Sequence, residues 1–202
     1  MKPPAANGRP DDFQTPKEAL IPLLKYLKRD WRIWECAEGQ GNLSNALWEA
    51  GFNVVGSDIL KGDFPSILSV NRNTKKTYTR IWERSFLDWT PDGWDCIITN
   101  PPFSLKGEFL EKAYKSGRPF AFLLPLTTFE GKKRQKLFKK YGLEVILFDK
   151  RINFTTPSGR GSGSWFATAW FTWGLNLGKE LNFVNFVAAG NHTLTEYMEA
   201  VL

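Results

Sequence analysis

The sequence predicts an α/β domain built on a doubly wound, mostly parallel sheet of about seven strands, one of them antiparallel near the edge, with helices on both faces. Three observations predict it. Short apolar runs alternate along the chain with segments of helical periodicity. A glycine turn, Glu35 to Asn42, follows the first run and opens a helix. The last two long strands are separated by a loop, not a helix, so they can pair antiparallel at one edge.

The elements follow in order. Asp12-Phe13-Gln14-Thr15-Pro16 precedes a helical segment from Lys17 to Lys28, with Thr15 suited to the N-cap and Pro16 to the first helical position. Arg32 to Ala37 reads as the first strand, and Asn42 to Ala50 as a helix closed by Gly51. Asn53 to Asp58 is a second strand ending in an acid. Residues 61 to 78 carry no readable period apart from a polar loop, Asn71 to Lys76, and a third strand is expected near Tyr78 to Arg84. Trp94 to Thr99 is the fourth strand, Lys106 to Ser116 a helix, and Phe120 to Pro125 the fifth strand. Residues 129 to 140 form a basic helix, Leu143 to Phe148 the sixth strand, and Ser164 to Trp173 a long alternating strand. Leu181 to Val187 is a possible further strand, and Thr193 to Val201 a short helix. Thr155 to Ser164, rich in Gly and Ser, reads as a mobile loop. The expected architecture is Rossmann-like: residues 1 to 10 a disordered tail, residues 11 to 202 one domain.

Composition narrows the function. The chain has 202 residues, 42% of them hydrophobic, enough for one well-buried core. No apolar stretch approaches the ~20 residues that span a bilayer. Met1 to Gly8 has no apolar run behind Lys2 and does not read as a signal peptide, so a cytoplasmic location is expected. Cys36 and Cys96, the two cysteines, sit in apolar runs and read as core residues, not as a disulfide or zinc framework. With His192 as the single histidine, expected exposed, neither His catalysis nor a metal site is indicated. A net charge of +6 suits a polyanionic partner. Nine Trp and sixteen Phe must mostly fill the core, leaving a few to stack on bases near a pocket.

Two segments carry chemistry. In Glu35-Cys36-Ala37-Glu38-Gly39-Gln40-Gly41-Asn42 the glycines let backbone approach a ligand, and the following helix offers free N–H groups. Asp58 lies about 20 residues on, where doubly wound nucleotide folds hold a ribose diol. Glu35 and Glu38 disfavour a pyrophosphate and suit a cationic ligand with an amino group. No phosphate loop of the Gly-x-x-x-x-Gly-Lys-[Ser/Thr] type is present. The second segment is Asn100-Pro101-Pro102-Phe103 at the end of the fourth strand. Its prolines fix φ and remove two donors, leaving carbonyl acceptors in a rigid corner. Asn100 adds an amide oxygen, and Phe103 offers a face to a flat ring. Such a corner accepts both hydrogens of an aromatic amino group. The bland alternative is a stiff strand-to-helix turn with a core Phe.

On these residues the chain resembles the S-adenosylmethionine-dependent methyltransferases of DNA adenine N6, most of all the small phage-encoded type, over roughly residues 11 to 175. The resemblance implies that the segment Phe13, Gln14, Thr15 and Pro16 helps hold the methionine end of S-adenosylmethionine, and that Ala37, Gly39, Gly41 and Asn42 belong to the first cofactor loop. It implies that Asp58 binds the ribose, with Ile59 beside the adenine ring, and that Asn100 to Phe103 is the catalytic motif. The order of segments is that of the gamma subgroup. Two departures stand out. Where the family has Asp-Phe-Leu, this chain has Ser85-Phe86-Leu87, so Ser85 or Asp88 is the candidate for the cofactor's adenine amino group, with Phe86 beside it. No segment is long enough for a separate target-recognition domain, which puts strict sequence specificity in doubt. The expected partner is nucleic acid, DNA first, in a bacterial host cytoplasm if the protein is phage-encoded. Lys132, Lys133 and Arg134 on the basic helix are candidate phosphate contacts, although charge runs are more often solvated faces. The resemblance puts Arg151 and Phe154 near the target base. The rival readings are an RNA adenine or protein glutamine methyltransferase, and an inactive module that binds cofactor or nucleic acid.

Overall fold

The computed structural model describes residues 13–61, 68–156, 159–160 and 166–186. One sheet contains β1 (Arg32–Glu35), β2 (Asn53–Ser57), β3 (Leu68–Val70), β4 (Thr77–Ile81), β5 (Cys96–Thr99), β6 (Phe120–Pro125), β7 (Glu144–Phe148), β10 (Thr168–Trp173) and β11 (Leu181–Val184). Its order is β11-β7-β10-β6-β5-β1-β2-β4-β3, and β8 (Thr155–Thr156) pairs with β9 (Gly159–Arg160) in a separate hairpin. β1, β2, β4, β5 and β6 run parallel. From β1 the chain steps outward through β2 to β4, then returns to β5 on β1's other side. The carboxyl ends of β1 and β5 therefore flank a topological switch point, where such sheets open a crevice.

The doubly wound class is as expected, but the sheet has nine strands instead of about seven. β3 lies in the unreadable stretch; Leu68 and Val70 are exposed, so no buried face gives it a pattern. β10 is the antiparallel strand expected near the edge, inserted between β6 and β7 and antiparallel to both, and β3 is a second antiparallel strand, on β4 at the other edge. Thr168 to Phe171 are buried on both faces, which an edge strand cannot achieve. β11, exposed at Leu181 and Phe183, takes the edge instead, parallel to β7.

Alternation along the strands builds two cores. Ile33, Val54, Ala121 and Leu123 face one side with Leu20, Leu23 and Leu47, while Trp34, Val55, Phe120 and Phe122 face the other with Phe109 and Leu110. The helices α2 (Asn42–Glu49) and α3 (Lys106–Ser116) thus cover opposite faces, and α4 (Lys132–Tyr141) packs beside α3. Lys17 to Lys28 is not one helix. It is a 3-10 turn, Lys17–Leu20, followed by α1 (Ile21–Leu24), because Pro22 has no N–H to extend a regular ladder. The residue flanking that turn is Pro16, in extended conformation, and Thr15 precedes it, buried and without a capping role. The basic helix starts at Lys132, after a 3-10 turn over Leu126–Phe129.

Cys36 and Cys96 are free buried thiols. Among the described residues no helix is long and apolar enough to cross a membrane, and no metal-binding cluster occurs. The tail 1–10, Asp12, most of the Gly/Ser stretch, His192 and the helix expected from Thr193 lie outside the described residues.

Candidate active site at the carboxyl edge of the sheet

β1 delivers Glu35 to the edge, and the chain then turns through Gly39 (φ +53°) and Gly41 (φ +83°) into α2, where Asn42 is exposed. Both glycines adopt the left-handed conformation that side chains disfavour. The turn is tied from three sides. The Gly39 N–H donates to Asp58 Oδ2 at 2.9 Å, the Gln40 N–H to Gln14 Oε1 at 3.2 Å, and the Glu38 N–H to the Ser57 carbonyl at 3.1 Å. Behind it Arg80 Nε donates to Glu38 Oε1 at 3.1 Å, and an Arg80 terminal nitrogen donates to the Tyr78 hydroxyl at 2.6 Å. The Glu38 carboxylate fills the space left by Gly56, where an added Cβ would clash with it.

Three carboxylates converge here. Burial pushes Glu35 up to about 8, against hydrogen bonds from the Thr99 hydroxyl and the Ala37 N–H, with Glu38 and Asp58 adding repulsion. Burial likewise raises Glu38 to about 7 despite Arg80 beside it. Asp58 also accepts from the Leu60 N–H at 2.9 Å, and it stays half-buried. A carboxylate offers about four lone-pair sites, so each Asp58 oxygen keeps acceptor capacity.

The Asn100 corner stands beside this turn, one strand over. Thr99 and Glu35 link them by hydrogen bond. Asn100 Nδ2 donates to the Phe13 carbonyl at 2.8 Å, while Asn100 Oδ1 is buried with no hydrogen-bond partner among the described residues. Pro101 is buried, the Pro102 carbonyl accepts the Leu105 N–H at 3.0 Å, and Lys106 Nζ donates to the Phe103 carbonyl at 2.8 Å. An aromatic wall surrounds the corner. The Phe13 and Phe103 rings stack at 5.5 Å, and Phe166 meets both edge-on. Phe154 packs on Phe13 at 5.8 Å. One face of Phe103, expected open to a flat ring, is thus covered by Phe13.

The other residues singled out in the sequence divide. Ile59 is 64% exposed beside Asp58, as a surface for a ring requires. Ser85 is half-buried, with its Oγ accepting the Leu87 N–H, and Asp88 is exposed. Phe86 is a buried residue whose ring stacks on Phe109 at 4.5 Å. Lys132 and Lys133 are exposed, but Arg134 is not a free cation, since it donates to the Thr128 and Glu130 carbonyls and braces the turn before α4. Arg151 is exposed. Sequence reasoning included Gln14 in its N-terminal segment but did not place Thr99, Arg80 or Phe166 at the site. Thr99 adjoins a motif already singled out, and that adjacency is its one sequence signal.

A glycine turn, an acid after the next strand and a proline corner thus meet at the switch point of a doubly wound α/β sheet. Comparison with solved structures narrows the fold. A protein from Vibrio vulnificus YJ016 described as the modification subunit of a type I restriction enzyme superposes with a TM-score of 0.54 at 12% identity, over 94% of this chain and 49% of that one. This chain therefore spans about half the length of that subunit. A protein from Pyrococcus horikoshii described as an RNA methyltransferase superposes with a TM-score of 0.53 at 14% identity, over 83% of this chain and 88% of that one. The chain has the fold of these proteins. No protein-family model and no curated protein matches the sequence.

Proposed function

We propose that the protein is an S-adenosylmethionine-dependent methyltransferase that acts on the exocyclic N6 amino group of adenine in DNA. The observation that carries this reading is Asn100 Oδ1, a buried acceptor with no partner among the described residues, at a rigid corner beside the glycine turn. Leaving such an atom unpaired costs about 1–3 kcal/mol, and a ligand N–H removes that cost. The residues around the turn also fit the cofactor. Glu35 and Glu38, protonated by burial, can ionise against its cationic groups, Asp58 offers acceptors to a ribose diol, and exposed Ile59 offers a surface to adenine.

S-adenosylmethionine, when bound, supplies an already activated methyl group, so positioning carries most of the catalysis. The chain's task is to aim the amino nitrogen, whose lone pair is otherwise delocalised into the ring. Asn100 Oδ1 accepts one N–H, and the Pro101 carbonyl is the second acceptor, since the Pro102 carbonyl is taken by Leu105. Accepting both hydrogens pyramidalises the nitrogen and points its lone pair toward the glycine turn. The methylated base first formed is strongly acidic, so its proton leaves without a dedicated base. A duplex substrate must extrude its base to reach the corner. Lys132 and Lys133 are the phosphate contacts of this reading. RNA is the second reading, favoured by the similar fold described as an RNA methyltransferase.

The test is methyl transfer from labelled cofactor to DNA, RNA and protein, followed by mass spectrometry of the nucleosides. N6-methyladenine in DNA is expected. Asn100→Ala lowers transfer at least ~100-fold while cofactor affinity stays within a few-fold. Full activity in that variant would falsify the role of Asn100.

A further inference from the structure

The segment after β4 forms a single tight turn. The Ser85 carbonyl accepts the N–H groups of Asp88 at 3.2 Å and Trp89 at 2.9 Å. It sits against the ribose-side acid, because the Arg84 N–H donates to the Asp58 carbonyl at 2.9 Å. The buried Phe86 ring anchors the turn on Phe109 and Trp34. A cleft of about 400 Å3 lies between it and α3, lined by Trp34, Phe86, Thr90, Trp94 and Lys112 among others. The turn's backbone is held across this cleft by Lys112 on α3, whose ammonium donates to the Phe86 carbonyl and to the Trp89 carbonyl, the latter at 2.8 Å. The same ammonium lies 4.9 Å from the centre of the Phe86 ring. It therefore ties both ends of the turn, and their shared ring, to one helix.

We infer that Lys112 is a positioning residue for the cofactor's adenine: from outside the cofactor site it fixes the Ser85–Trp89 turn, so that the side chain at 85 or 88 meets the adenine amino group. The inference rests on the methyltransferase reading and adds to it the element that selects the cofactor's base. Its logic is steric and electrostatic. The Asp88 carboxylate only accepts, and a serine hydroxyl tells an amino from an oxo group only where its own proton is directed elsewhere, so either discriminates only on a turn held in place.

The test compares the affinity of S-adenosylhomocysteine with that of its inosine counterpart, in which an oxo group replaces the adenine amino group. The wild-type protein prefers the adenine form. Lys112→Met keeps the aliphatic stem and loses the donors. It weakens S-adenosylhomocysteine about tenfold, leaves the inosine counterpart unchanged, and so removes the preference. Lys112→Arg, which still reaches two carbonyls, keeps most of it. If Lys112→Met does not fold, Lys112→Gln applies the same comparison with one donor retained. A folded variant with the preference intact, or with both ligands weakened equally, overturns the inference. So does a wild-type protein that binds both forms equally. A wild-type protein that binds neither ends the cofactor reading itself.

Discussion

At the residue scale the site is governed by where carboxylates are buried. Glu35 is held at about 8 and Glu38 at about 7, whereas free glutamate ionises near 4.5. Between those values the folded chain keeps protons that the unfolded chain has released. Folding stability therefore falls as pH rises through that window. Glu35→Gln removes one of the two groups, so its denaturation midpoint falls less steeply between about pH 5 and 8 than the wild type's. An equally steep fall in the two proteins, read from denaturant titrations across that range, would count against the burial argument. The same groups link the cofactor to protons. On the proposed function a cationic ligand beside Glu35 favours its ionised form, so S-adenosylmethionine is expected to bind more tightly as pH approaches about 8 and to release a proton on binding. Calorimetry in buffers of different ionisation heat reads that proton directly.

At the scale of elements, the glycine turn depends on strands β2 and β4 as much as on its own residues. Gly56 on β2 is glycine because the Glu38 carboxylate occupies the place of its Cβ, and Gly41 at the start of α2 faces Arg80 from β4 in the same way. Gly56→Ala is expected to cost about 1–3 kcal/mol of stability, as overpacked sites do. It also displaces Glu38, which weakens cofactor binding further than the stability loss alone. Urea denaturation measures the first effect and calorimetry the second; a neutral Gly56→Ala would show that the ion pair can move freely. The glycine turn and the proline corner were legible as local patterns. The support behind them was not, because Arg80 and Tyr78 alternate on a strand with no special composition.

At the scale of the whole molecule, topology decides which surface charges can serve the site. α4 follows β6, whose carboxyl end lies beside that of β5, and returns the chain to β7. Lys132 and Lys133 therefore stand at the end of the sheet that holds Asn100, and Lys139 and Lys140 at the opposite end. Replacing Lys132 and Lys133 by Ala is expected to weaken DNA binding and to lower the salt slope by about one for each phosphate no longer neutralised. The Lys139→Ala, Lys140→Ala double variant leaves both unchanged. Equal effects from the two pairs in salt-dependent binding assays would mean that the nucleic acid does not approach over the carboxyl edge.

The sequence by itself determined the doubly wound class, the bounds of α3 and β6, and the two motifs that mark the site. Those features are written in local periodicity and in residues whose backbone preferences act over a few positions. Tertiary structure alone decided that β10 lies inside the sheet, that the Phe86 ring is buried and Arg134 bonds the turn before α4, and that Phe13, Phe154 and Phe166 gather around Phe103. These facts depend on which strand lies beside which and on what each side chain finds across the gap. Pairing partners far apart in the chain leave no periodic trace in it, so only the folded packing could supply them.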